Sequence, residues 1–176
     1  IEVCLVGSEM CIRDSKLSKE STIENVHTKD VTTEFGEFKL NVWRDVIFDE
    51  YHFSLTKGSP EKVDVPMVRV QTQSVLQDTL GIDEIGKKWS IRKSLQKIAD
   101  EGTGVFVLIN HRDAKTYWLS NLKDENIEPK RNRRVIGIGS QILRAIGLNK
   151  IKVLGTPTKY SGLSGFNIEI EGFIDE

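Results

Sequence analysis

Residues 89–109 read WSIRKSLQKIADEGTGVFVLI, and this stretch decides the fold class. Trp89, Ile91, Leu95, Ile98 and Ala99 recur at helical spacing. Gly102 stands where a glycine ends a helix, because it takes positive φ at no steric cost. The period then changes. Val105-Phe106-Val107-Leu108-Ile109 is uninterruptedly apolar, the pattern of a short strand covered on both faces. A helix leading straight into such a strand predicts an α/β chain with helices packed on a sheet.

Working upstream, Phe35 to Trp43 alternates apolar and polar residues, and Tyr51–Leu55 and Val65–Val70 form two more strand candidates. Pro66 falls at the start of the last, and Lys57-Gly58-Ser59-Pro60 supplies a turn between them. Residues 16–30, KLSKESTIENVHTKD, show no sustained period and read as a linker, so the domain is expected to span 31–176. Downstream, residues 120–134 are polar and highly charged, hence expected to be exposed. A second helix is expected from about Ser140, through Ile142, Leu143 and Ile146, to Gly147. Ile151–Leu154 and Phe166–Phe173 complete the strands, with Pro157, Gly162 and Gly165 between them. The expected architecture is α/β (α+β), a mixed sheet with packed helices.

The chain has 176 residues, with 25 Lys+Arg against 26 Asp+Glu and a net charge of −1. That length suits one domain or a domain with an extension, burying roughly 70% of its unfolded surface. The charge balance argues against a general nucleic-acid partner. The longest apolar run is five residues, Val105–Ile109, where a membrane helix needs about 20, so no membrane partner is expected. Cys4 and Cys11 are the two cysteines, and none follows from Lys16 to Glu176. A disulfide framework or a cysteine-rich zinc site in the body of the chain is thereby excluded, and a cytoplasmic protein is expected. Residues 1–15, IEVCLVGSEMCIRDS, lack the basic start and the cleavage site of a signal peptide. They resemble translated adapter sequence and read as non-native, which leaves Cys4 and Cys11 without a role.

The residues alone define a modest chemistry. His27 falls in the expected linker and His52 in a strand, where a lone histidine is usually structural. His111 lies just past a buried strand, a common place for a site, with Asp113 two residues on. Gly137-Ile138-Gly139 has two readings: a phosphate-holding helix start, or close helix–sheet packing. The run Lys130-Arg131-Asn132-Arg133-Arg134 is either a solvated loop or an anion contact, since arginine forks match phosphate oxygens. Lys159, beside Thr156 and Thr158, is a second phosphate candidate.

Four stretches together resemble the GTP cyclohydrolase II family: TEFGEFKL, VPMVRVQTQSVLQDTLG, SLQKIADEGTGVFVL and GIGSQILRAIGLNKIKVLGTPTKYSGLSGFNIEI. In order and spacing they cover roughly residues 31–171. The segment ESTIENVHTKD resembles the junction in proteins where a 3,4-dihydroxy-2-butanone 4-phosphate synthase domain precedes this one. The resemblance implies a zinc enzyme of riboflavin biosynthesis that opens the guanine ring of GTP. It also implies a zinc ion held by three cysteines, whose places here hold Ser74, Ile85 and Lys87. Isoleucine has no donor atom, a protonated lysine repels the metal, and serine is a poor ligand at neutral pH. Without zinc, nothing lowers the pKa of a bound water towards about 7.

Carried over one at a time, the remaining family residues are mixed. Asn132 stands for the acid/base aspartate and cannot take up a proton as a carboxylate does. Arg134 matches the catalytic arginine. His111-Arg112-Asp113-Ala114-Lys115 replaces the glutamate–glycine–arginine phosphate loop, and the expected tyrosine has no counterpart. Arg69 matches a nucleotide contact whose neighbours are changed to Gln71, Thr72 and Gln73; Thr156 and Lys159 match the threonine and lysine near the last helix. The expected ligand-binding set is therefore Arg69, Thr72, Thr156 and Lys159, with Arg134 the one match to a catalytic residue, and no metal or cofactor. The resemblance implies a degenerate domain, the C-terminal part of a dihydroxybutanone phosphate synthase, with a structural or regulatory role. A phosphate- or nucleotide-sensing domain, a residual hydrolase of the family's type, and metal-free chemistry at His111 or Arg134 are the alternatives. The attached synthase domain, a second copy of the chain, and a phosphate or nucleotide are the partners considered.

Overall fold

The computed structural model describes residues 21–82, 89–110, 133–157 and 163–175. Among these, seven strands form one sheet: β1 (Ile23–Thr33), β2 (Gly36–Asp45), β3 (Glu50–Lys57), β4 (Met67–Thr72), β5 (Gly104–Ile109), β6 (Lys150–Leu154) and β7 (Glu169–Ile174). Two α-helices pack on it, α1 (Ile91–Glu101) and α2 (Arg133–Ala145). The spatial order is β1-β2-β3-β5-β4-β6-β7. The first three strands meander antiparallel, β3 pairs antiparallel with β5, and β5-β4-β6-β7 run parallel. The expected mixed α/β sheet is what forms.

The apolar strand β5 lies in the middle because it is buried on both faces. Val105, Val107 and Ile109 join Val68, Ile138, Ile142 and Leu143 beneath α2, while Phe106 joins Leu95, Ile98 and Trp89 beneath α1. Helix α1 begins at its cap Ser90, whose side chain accepts from the Lys93 amide at 3.2 Å. It ends at Gly102, whose φ of 78° lets its N–H reach the carbonyls of Ile98 and Ala99.

Three sequence expectations are corrected. The linker expected over 16–30, with the domain opening at residue 31, gives way to strand from Ile23 on. β1 is an edge strand bonded on one side only and mostly exposed, so it needs no apolar alternation to hold its place. Helix α2 starts at Arg133, not Ser140, so Gly137 and Gly139 lie inside the helix and not at its phosphate-binding start. Gly139 sits against the sheet: a Cβ there would come within 2.7 Å of Val70 Cγ1, which is the close-packing reading of Gly137-Ile138-Gly139. Finally, a 3₁₀ turn, Leu163–Phe166, occupies the place expected to start the last strand, which begins at Glu169.

Candidate functional site

The parallel strands β4, β5 and β6 end along one edge, where open α/β sheets commonly place their sites. Thr72 ends β4 opposite Ile109, Asn110 follows β5, and Thr156 follows β6. The β2–β3 turn and the start of α2 come to the same edge. There the chain buries Asp45, Glu50 and His52 on the α2 face of the sheet.

Arg134 is drawn into this cluster. Its guanidinium lies 2.5 Å from Glu50 Oε2 and 3.7 Å from Asp45 Oδ2, and stacks 3.7 Å from the centre of the Phe48 ring. Two carboxylates and an aromatic face hold the cation at once. Asp45, fully buried, spends its other oxygen on the turn, accepting from the amides of Ile47 at 3.0 Å and Phe48 at 3.4 Å. The exposed loop expected over 120–134 is thus corrected at Arg134, whose side chain is only 24% exposed. The run of basic residues hid this, because nothing in the sequence pairs residue 134 with acids some eighty positions earlier.

His52 is fully buried beside the same acids. Its Nδ1 accepts from the Asn110 amide at 3.2 Å, so the neutral ring carries its proton on Nε2, which has no hydrogen-bond partner among the described residues. Burial pushes the imidazole below its usual pKa; Asp45 and Glu50 oppose that shift and Arg134 reinforces it.

Arg69 lies on the opposite face. It pairs in register with Phe106 on the α1 side, whereas Glu50, His52 and Arg134 are on the α2 side. Its guanidinium donates to Gln71 Oε1 at 2.9 Å, to the Leu154 carbonyl at 2.6 Å and to the Trp89 carbonyl at 3.4 Å. It ties β4 to the end of β6 and to the approach of α1. Thr156, exposed, donates to Asp175 Oδ1 at 3.4 Å. Thr72 is half-buried at the strand end. Lys159, His111, Asp113, Ile85, Lys87 and Asn132 lie outside the described residues. Arg69, of the expected ligand-binding set, and Arg134, the match to the catalytic arginine, lie on opposite faces of the sheet, and each is engaged by the chain itself.

The zinc ion that the resemblance implies does not fit the described residues. Ser74, in the place of the first cysteine, is buried, and its Oγ accepts from the Gln77 amide at 3.4 Å. A serine hydroxyl so placed offers no thiolate. No group of three His, Cys, Asp or Glu among the described residues could hold a metal.

The family model for GTP cyclohydrolase II matches residues 24–175. The chain belongs to the GTP cyclohydrolase II family. It is 29% identical over 165 residues to the 3,4-dihydroxy-2-butanone 4-phosphate synthase of Pseudomonas aeruginosa, covering 90% of this chain and 45% of that one. Against the enzyme of the same name from Neisseria meningitidis serogroup B it is 32% identical over 170 residues, covering 96% and 47%. Among solved structures it resembles RibBX, a two-domain 3,4-dihydroxy-2-butanone 4-phosphate synthase from A. baumannii. The TM-score is 0.64 at 26% identity, over 94% of this chain and 44% of that one. The chain spans about half the length of the curated relatives it matches. Among the described residues, no helix is long and apolar enough to cross a membrane.

Proposed function

We propose that this is a degenerate GTP cyclohydrolase II-like domain that has kept the family's sheet and given up ring opening. In this reading it supports or regulates a 3,4-dihydroxy-2-butanone 4-phosphate synthase domain carried on the same cytoplasmic chain. The observation that carries the reading is the capture of Arg134. The match to the family's catalytic arginine is held by Glu50, Asp45 and Phe48, and the chain's own acids neutralise the charge that would stabilise a reacting group. Three further observations point the same way. Ser74 stands in a cysteine's place, Asn132 stands for the acid/base aspartate, and Arg69 is spent on carbonyls of the fold. The attached synthase domain is inferred from relatives named for that activity and about twice as long.

A thermal-shift titration with GTP, inorganic phosphate and zinc, each separately, tests this. A ligand that bound at 100 times its dissociation constant would add about 2.7 kcal/mol of stability. The expected result is no shift with any of them. A shift with GTP or phosphate would move the domain to a ligand-sensing role, and a zinc-dependent shift would reopen the hydrolase reading.

A further inference from the structure

We propose that the carboxylate of Asp78 is a clasp that ties the turn after β4 to the start of α1 and seats that helix. The chain leaves β4 through Ser74 into a single π-helical turn, Val75–Thr79, and re-enters at Trp89 and Ser90 before α1. Asp78 bridges the two ends. Its Oδ2 accepts from the Ser74 amide at 2.8 Å and its Oδ1 from the Ile91 amide, 13 residues on, at 3.1 Å. The Asp78 amide returns a bond to the Ser74 carbonyl at 2.7 Å.

Three physical effects meet at this one side chain. Ile91 is the first residue of α1, so its N–H has no partner inside the helix, and Asp78 supplies one from outside. A carboxylate there is also favoured by the positive end of the helix dipole. Both bonds are charge-assisted and therefore stronger than neutral ones. The seat has a second anchor beside it, the Arg69 guanidinium on the Trp89 carbonyl at 3.4 Å, with the Trp89 ring buried against Phe106 and Leu95. The places that the resemblance assigns to cysteines, 74, 85 and 87, all fall between β4 and the start of α1. This inference goes beyond the functional reading above and stands on the hydrogen bonds alone.

The test compares Asp78→Ala, Asp78→Asn and Ser74→Ala in the full chain by melting temperature and amide hydrogen exchange. Asp78→Ala should lower Tm by about 2–4 °C. The amides of Ser74 and Ile91 should lose protection together, while the Ser94 amide, bonded to the Ser90 carbonyl, keeps its own. Asp78→Asn retains a single acceptor oxygen and should fall between, and it carries the comparison if Asp78→Ala does not fold. Ser74→Ala leaves the backbone donor in place and should leave Ile91 protected. Retained protection at both amides in the Asp78 variants would overturn the clasp. Because these readouts report the two hydrogen bonds of Asp78 and not catalysis, their failure is distinct from a failure of the functional reading.

Discussion

Arg134 and His52 sit against the same two buried acids, and their chemistries differ. Removing Arg134 would leave Asp45 and Glu50 buried without their counter-charge. Arg134→Ala is therefore expected to cost about 3 kcal/mol, the usual penalty for breaking a buried pair from one side. Glu50→Gln leaves Arg134 with Asp45 and should cost less, about 1–2 kcal/mol; urea unfolding of the two variants gives the order. His52 sets a pH dependence. In the unfolded chain it titrates near 6.5, and burial lowers its value in the folded protein. As pH falls the unfolded state takes up the proton first, so the histidine's contribution is full above about 6.5 and is lost progressively below it. Between pH 7.5 and 5.5 the wild type should lose stability, by on the order of 1 kcal/mol, relative to His52→Gln. Equal losses in both would place the acid sensitivity elsewhere. His52 reads as an ordinary strand histidine: alternation puts it on the face of Glu50, and only the β2–β3 register, with Asp45 opposite Glu50, brings the second acid.

Elements were readable where one physical signal dominated. α1 and β5 show clean periods with a glycine between them, and both form where expected. The cap Ser90 can be tested directly: Ser90→Ala should cost about 1 kcal/mol, seen as a lower urea midpoint with an unchanged slope. Helix α2 was read seven residues short because its first turn, Arg133-Arg134-Val135-Ile136, continues a charged run. Its glycines admitted two readings in sequence, and the contact with Val70 supports the packing one. Gly139→Ala should destabilise by about 1–3 kcal/mol through overpacking, and by less in a Val70→Ala background because the two sites are coupled. β1 was missed altogether. Apart from Ile23, Val26 and Val31 its residues are polar, with no alternation to follow; Ile23 and Val31 reach the two core clusters, the ladder with β2 holds the rest, and Gln141 accepts from the Thr22 amide at 2.6 Å.

At the scale of the whole molecule, the apolar pattern that builds the sheet persists, while Arg134 and Arg69 are held by groups of the chain itself. The two families of evidence have different reach. Core pattern depends on apolar spacing, which a single sequence displays; a site depends on convergence across the sheet, which it does not. Thus nothing in the sequence shows that Arg69 and Arg134 occupy opposite faces of the sheet. Turnover of GTP by the purified chain, with zinc supplied in excess and the nucleotide followed by chromatography, tests the proposed loss of ring opening most directly. The expected result is GTP recovered intact at every zinc concentration, with or without Arg134. Zinc-dependent consumption of GTP that disappears in Arg134→Ala would show a working cyclohydrolase and contradict it.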